Sequence, residues 1–241
     1  MTEHISRREL KQDKIKETFE HGAEAVYSHA QLAMAVVVAV LLVVCVYGGW
    51  KLYNDRQTAQ ANVALDAGMK VYNSPLAGTP EQGVDPTETT YPDEAARATA
   101  ALPKFLAVAD KYSSTNPGKL ARYYAALSYE TMEKPNQALE ELKKISNSSD
   151  KELAAMAQYQ TSVIDTRTGK TDDAIKILRG LAAKSTVLVP KPTVQLDLAG
   201  LLQKSNPQEA ITLYRQVKQD YPDSPIAEEA DKGLARIAPK S

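Results

Sequence analysis

The octapeptide ALEELKKI, residues 138–145, decides the fold because its pattern of small and large residues recurs along the chain. Each copy begins with alanine, carries a large apolar or aromatic residue four positions later and an aliphatic residue three positions after that. Successive alanines, from Ala101 to Ala138, Ala174 and Ala210, are separated by 37, 36 and 36 residues. The other copies are ALPKFLAV (101–108), AIKILRGL (174–181) and AITLYRQV (210–217).

The three marked positions of each copy fall on one face of an α-helix, because residues i, i+4 and i+7 share a side of the helix. A small residue followed by two large ones lets a neighbouring helix approach at the alanine and pack against the side chains beyond it. We therefore expect four equivalent helices that bury this face. Its large residues are Phe105, Leu142, Leu178 and Tyr214, followed by Val108, Ile145, Leu181 and Val217.

A second helical stretch precedes each of the last three copies, and short turns join the two halves. No alternating β-branched run bounded by turn residues appears outside the apolar N-terminal segment, so the sequence predicts an all-α fold. The stretches are PGKLARYYAALSYETM (117–132), KELAAMAQYQTSVIDTR (151–167) and PTVQLDLAGLLQ (192–203).

Three helix starts are marked by a capping residue directly before proline. Asparagine and serine accept hydrogen bonds from free backbone N–H groups at a helix start, and proline suits the first helical position. The pairs that predict helix starts are Asn116-Pro117, Asn206-Pro207 and Ser224-Pro225.

These paired helices resemble the tetratricopeptide repeat, which has alanine at the start of its second helix. The family's small residue twelve positions earlier is present as Ala126 and Ser162 but is replaced by Leu198, and its proline remains only at Pro222. Such repeats bury their apolar faces only by stacking, so the resemblance implies an α-solenoid of stacked helix hairpins over residues 94–241.

Tyr123 and Tyr159 are the candidate partner-binding residues. They are separated by 36 positions and occupy equivalent places in the first helices of two repeats. The resemblance places those first helices on the concave face, which normally binds partner proteins. The alternative is that both rings only fill ordinary contacts between helices.

Residues 32–50, LAMAVVVAVLLVVCVYGGW, contain no charge and predict a transmembrane helix. A helix of that length spans roughly 28 Å, close to the hydrocarbon thickness of a bilayer. Tyr47, Trp50 and Tyr53 cluster at its end, where aromatic rings favour the headgroup layer. A buried core helix is one alternative. A cleaved signal peptide is the other, although its apolar core is usually about 7–15 residues long.

The chain therefore divides into an anchor and a repeat region. The Pro-, Gly- and Thr-rich stretch between them reads as a flexible loop, and basic residues near the span do not decide its orientation. The predicted segments are a polar or amphipathic tail (1–31), a transmembrane helix (32–50), a post-membrane helix of the first hairpin (51–73), a flexible loop (74–93) and the helical repeats (94–241).

Composition and motifs give no sign of catalysis. The formal net charge of −1 does not suggest nucleic-acid binding. Cys45 is the single cysteine, so an intrachain disulfide or a Cys-based zinc site is excluded. We find no phosphate-binding loop and no nucleophile elbow, and we expect no enzyme activity, cofactor, metal or small-molecule substrate. Adjacent carboxylates such as Glu228 and Glu229 diverge by about 100° on a helix and predict solvated or capping roles.

The stretch GGWKLYNDRQTAQANVALDAGMKVY, residues 48–72, follows the apolar segment and precedes the degenerate repeats. In this arrangement the chain resembles the YfgM-like family, ancillary subunits of the SecYEG translocon. The longer N-terminal tail and the expanded 74–93 loop depart from that family. The resemblance implies a single-pass protein of the bacterial inner membrane with a cytoplasmic N-terminus and a periplasmic repeat domain.

The resemblance further implies an ancillary or chaperone-like role beside the Sec translocon. The expected partners are translocon subunits, periplasmic chaperones or secreted clients, with membrane lipid around residues 32–50. The alternative is a structural scaffold or assembly factor of another cell-envelope complex.

Overall fold

The computed structural model describes residues 30–78 and 89–237. Most of the predicted N-terminal tail and the middle of the 74–93 loop lie outside the described residues. The described part is all-α, without a strand, as the repeat pattern predicts. Its helices are α1 (Ala30–Tyr72), α2 (Glu94–Lys111), α3 (Asn116–Thr131), α4 (Pro135–Lys143), α5 (Lys151–Arg167), α6 (Thr171–Ala183), α7 (Lys191–Ser205), α8 (Pro207–Asp220) and α9 (Pro225–Ile237).

The chain divides into two units, Met1–Arg56 and Gln57–Ser241, and the boundary falls inside α1. In the first unit the apolar side chains of α1 face outward: Leu41 is 57% exposed, Val46 71% and Trp50 61%. Within the described residues, α1 is the one helix long and apolar enough to cross a membrane. A core helix of a soluble domain would bury such side chains, so their exposure argues against that alternative.

In the second unit α2–α9 pack as successive antiparallel neighbours. The alternate helices α3 and α5 also touch, as do α7 and α9. This nearest-neighbour pattern is that of a solenoid, in which each hairpin hides its apolar face against the next.

The alanine-led faces are buried as predicted. Ala101, Ala138, Ala174 and Ala210 are each 0% exposed. The large residues that follow them enter three separate core clusters, one around Phe105, one around Leu142 and Ile164, and one around Leu178, Val194 and Tyr214. Because the apolar residues fall into successive clusters and not one central core, the stacking of hairpins is what buries them.

The last turns of α1 close against α2. Tyr72 meets the Phe105 ring edge-on, with ring centroids 5.8 Å apart. A Cβ atom on Gly68 would lie 2.8 Å from the Phe105 ring, so only glycine allows this approach. The two ends of the 74–93 loop are held together, since the Ala77 N–H donates a hydrogen bond to the Tyr91 carbonyl at 2.7 Å. These contacts make the first helix hairpin.

One predicted cap is wrong. Thr115, and not Asn116, caps α3, because its hydroxyl accepts a hydrogen bond from the backbone N–H of Gly118 at 3.1 Å. Asn116 is already the first helical residue, so Pro117 follows inside the first turn. Asn206 and Ser224 do accept the predicted hydrogen bonds, from the N–H groups of Glu209 and Ala227.

Candidate partner-binding groove

A groove of about 570 Å³ crosses helices α5, α7 and α9 in the second unit. Of these, α5 and α7 are the first helices of two successive hairpins, which the resemblance assigned to the partner-binding face, and α9 follows the second of those hairpins. Side chains from α6 and α8 reach its floor. We call this site the α5–α7–α9 groove.

Tyr159 stands on the α5 wall of the groove and Asp197 on the α7 wall. The Tyr159 hydroxyl donates a hydrogen bond to Asp197 Oδ2 at 2.6 Å, which ties the two helices together across the groove. Withdrawal of the phenol from water and the neighbouring Asp197 carboxylate raise the pKa of Tyr159, so it remains a donor at neutral pH.

Asp197 keeps access to solvent although the groove walls crowd it. Partial loss of water raises the pKa of Asp197 above its usual value, the hydrogen bond from Tyr159 opposes that rise, and the negative charge of Glu229 adds to it. Glu229 projects from α9 and lines the same groove. Two carboxylates from different helices therefore face one space.

Two glycines lie next to the Tyr214 side chain at the floor of the groove. A Cβ atom on Gly200, one helical turn beyond Asp197, would lie 3.9 Å from the Tyr214 hydroxyl. That hydroxyl accepts a hydrogen bond from Gln203 Nε2 at 2.7 Å. On α9, a Cβ atom on Gly233 would lie 2.3 Å from the Tyr214 ring, so glycine is required for the ring to fit beneath that helix.

The remaining lining is mostly aliphatic. Val163 on α5 is 37% exposed, and Leu196, Leu201 and Ile226 are partly buried against the core beneath. Aliphatic walls interrupted by a few fixed polar groups are typical of a site that binds a side chain or an extended segment.

Tyr123, the other predicted residue, lies apart from the groove lining. It packs on the cluster around Leu142, and its ring meets Tyr124 edge-on at 6.0 Å between centroids. Burial, with smaller contributions from Tyr124 and Glu130, raises the pKa of Tyr123 to about 12. The structure therefore places Tyr159 in the groove and Tyr123 at a junction of helices.

A second exposed feature lies between α6 and α7. Val187 and Leu188 are 83% and 60% exposed, yet their backbone N–H groups donate to the Glu152 carboxylate at 3.1 and 2.9 Å. These hydrogen bonds lower the pKa of Glu152, and the bond from the Leu188 N–H has the largest effect. A carboxylate in the first turn of α5 thus fixes a loop that presents two aliphatic side chains.

The tyrosine spacing pointed to Tyr159, which lines the groove, but sequence reasoning did not single out Asp197, Gly200 or Glu229, which line it too. The sequence could have pointed to Asp197, because it is the single charged residue in the stretch 192–203. It gave no sign of Glu229, since that residue reaches the groove only because α9 folds back beside α7. Among the residues that the structure describes, no group of three His, Cys, Asp or Glu could hold a metal ion.

The sequence profile of the tetratricopeptide repeat-like domain matches residues 29–187, about two thirds of the chain, and that of the tetratricopeptide repeat matches residues 193–224. No curated protein sequence matches the chain significantly.

Among solved structures, the chain is similar to the nearly identical TPR-like repeats attributed to a Podosopora anserina kinesin light chain. The identity is 17%, the TM-score is 0.50, and the match covers 58% of this chain and 77% of that one. A point variant of the same repeats matches with 16% identity, a TM-score of 0.50 and the same coverage. At this identity the likeness shows the fold alone.

Proposed function

The chain belongs to the tetratricopeptide repeat-like domain family, and on that premise we propose that it is a membrane-anchored module that binds other proteins through the α5–α7–α9 groove. The observation that carries the proposal is the groove itself, in which fixed polar groups alternate with aliphatic walls on α5, α7 and α9. Repeats of this fold are typically non-catalytic interaction scaffolds.

Retention in a membrane is the second part of the proposal. The apolar side chains that the structure describes in residues 34–50 face outward, and the segment is long enough to cross a bilayer. A cleaved signal sequence would share that composition. The helix, however, continues without interruption to Tyr72, whose ring packs against the core cluster around Phe105. Cleavage after the apolar segment would leave the final turns in place but free the chain from the membrane.

We further propose that the repeats lie in the periplasm of a bacterium and act beside the Sec translocon, with translocon subunits, periplasmic chaperones or secreted clients as partners. This part rests on the resemblance of residues 48–72 to the YfgM-like family. A reporter fused after Ser241 tests the topology. Alkaline phosphatase, which needs the periplasm to fold, should be active, whereas a reporter active only in the cytoplasm would contradict the proposal.

Site-specific photocrosslinking in native membranes tests the groove. A benzoylphenylalanine at Val163, which lines the groove, should capture protein partners. The same probe at Lys176, exposed on α6 and absent from the groove lining, is the control. Adducts from Val163 to translocon subunits or secreted proteins support the proposal. Adducts only to division or cell-wall machinery favour the scaffold alternative, and equal labelling from both positions contradicts binding in the groove.

A further inference from the structure

The end of the groove beside α7 is acidic. Asp197 and Glu229 both retain solvent access and are near enough for the charge of Glu229 to act on the Asp197 carboxylate. Arg236, the cation that lines the groove, is two helical turns beyond Glu229, about 10 Å along α9. The positive charge is therefore at the far end, and negative charge dominates beside Asp197.

The Asp197 carboxylate is held in place before any partner arrives. The hydrogen bond from Tyr159 uses Oδ2, and an ionised carboxylate can accept at both oxygens. A partner's cation would meet an oriented acceptor without first having to order the side chain, which lowers the entropic cost of binding.

The space beside the two carboxylates suits a long side chain with an apolar stem. Gly200 leaves a notch next to Asp197, and the nearest side-chain atom to that notch is the Tyr214 hydroxyl. Leu201 and Ile226 line the same groove. Lysine and arginine side chains bury their methylene stems on such surfaces while the charged group stays in polar surroundings.

From these observations we propose that the acidic end of the groove binds a lysine or arginine side chain carried on an extended, apolar segment of a partner protein. The inference rests on the proposed function, because it names the chemistry that the same groove recognises. Charge complementarity favours this occupant over an acidic segment, which Asp197 and Glu229 would repel, and over a purely apolar one, which would desolvate both carboxylates without pairing them.

Binding of matched peptides to the full-length chain in detergent micelles tests the proposal. The probes are fluorescent, acetylated and amidated heptapeptides of alternating valine and serine, with lysine, arginine, norleucine or glutamate at the centre. Fluorescence anisotropy gives their affinities. The lysine and arginine peptides should bind roughly tenfold more tightly than the norleucine peptide, which has a similar stem without the charge, and the glutamate peptide should bind most weakly.

The variants Asp197→Asn and Glu229→Gln should reduce the affinity for the lysine peptide to that for the norleucine peptide. Glu228→Gln is the matched control, because it removes the same charge from an exposed neighbour outside the groove lining. Equal or tighter binding of the norleucine or glutamate peptide to the unchanged protein would overturn the proposal, and so would an equal loss in Glu228→Gln. The first of these comparisons needs no variant to fold.

The test separates this inference from the proposed function. If all four peptides bind equally and Val163 still gives crosslinks, the groove binds proteins but does not select a basic side chain. If no peptide binds and Val163 gives no crosslinks, both the inference and the proposed function fail.

Discussion

At the scale of single residues, Arg122 on α3 is a buried charge, with only 8% of its surface exposed. Its guanidinium donates to Glu141 Oε2 at 2.6 Å, to Asp110 Oδ1 at 2.9 Å and to the Ala109 carbonyl at 2.9 Å. One side chain thereby connects α2, α3 and α4. Repeat spacing gives no hint of this network, because its members are 12 to 19 positions apart and meet only through the turns between helices.

Arg122→Ala should be strongly destabilising, because it removes the buried partner of the Glu141 carboxylate and leaves only the half-exposed Lys144 ammonium, 2.7 Å from Oε1, to pair with it. We expect a loss of about 3 kcal/mol in the free energy of unfolding. Circular dichroism during urea unfolding of the full-length chain in detergent measures it. Lys218→Ala breaks an ion pair with Asp231 whose side chains are 40% and 57% exposed, and should cost less than about 1 kcal/mol. Equal losses in the two variants would show that the buried network stabilises the fold no more than an exposed ion pair does.

Glu152 makes the loop of Val187 and Leu188 dependent on pH. Its folded-state pKa is lowered from 4.5, first by the Leu188 N–H, so the stabilisation is present above the unfolded pKa and is lost as pH falls through the folded pKa. The hydrogen-exchange protection factors of both amides, measured by NMR, should therefore fall only in that acidic range. In Glu152→Ala they should already be low at neutral pH. Protection that is unchanged in the variant would contradict this role of the carboxylate.

At the scale of helices, the spacing of alanines was enough to place the buried faces. The reason is physical: a face at i, i+4 and i+7 must be covered, and only a neighbouring hairpin is available to cover it. The residue that caps each helix was harder to predict from the sequence. Thr115 and Asn116 are both good caps, and only the course of the preceding turn, where Thr115 also donates to the Tyr112 carbonyl at 2.8 Å, decides between them.

The α9 helix should depend on glycine at position 233. In Gly233→Ala the new methyl would lie within 2.7 Å of three atoms of the Tyr214 ring, so α9 must move away from α8. We expect a destabilisation of roughly 1–3 kcal/mol in thermal or urea unfolding, together with weaker peptide binding because Glu229 moves with the helix.

Gly180→Ala is the matched control for Gly233→Ala. A Cβ atom there meets nothing within 4 Å, and alanine is favoured over glycine inside a helix, so this variant should be neutral or slightly stabilising. Unchanged stability and binding in Gly233→Ala would show that the Tyr214 ring moves aside without displacing α9.

At the scale of the whole molecule, sequence determined the class of fold and the candidate face but not the groove. Repeat periodicity aligned Tyr159 with Tyr123, yet the two tyrosines have different surroundings, because α1 and α2 bring Tyr72 and Phe105 close to the Tyr124 ring. The α7–α9 side has no such aromatic cluster among the described residues, and Asp197 and Gly200 leave space there. Divergence between repeats therefore creates the groove, and a pattern built on their similarity does not reveal it.

The helical segment 57–72 should be part of the repeat stack and not merely a stalk. Ala61 and Leu65 are 0% and 8% exposed and share a cluster with Phe105. A fragment of residues 57–241 should therefore be soluble and unfold cooperatively, whereas residues 94–241 should lose roughly 2–5 kcal/mol because Phe105 and its neighbours become exposed. Differential scanning calorimetry or urea unfolding compares the two fragments.

Two substitutions in α1 test whether segment 57–72 stabilises the repeats through its buried side chains. Leu65→Ala in the 57–241 fragment removes a buried side chain and should cost about 2–3 kcal/mol, while Val63→Ala changes a residue that is 74% exposed and should cost less than about 0.5 kcal/mol. If 94–241 is as stable as 57–241, or if both substitutions are equally mild, the stack begins at α2 and residues 57–72 only connect it to the rest of α1. If instead Leu65 alone is sensitive, the last turns of α1 supply the first packing surface of the repeats, against which Phe105 is buried.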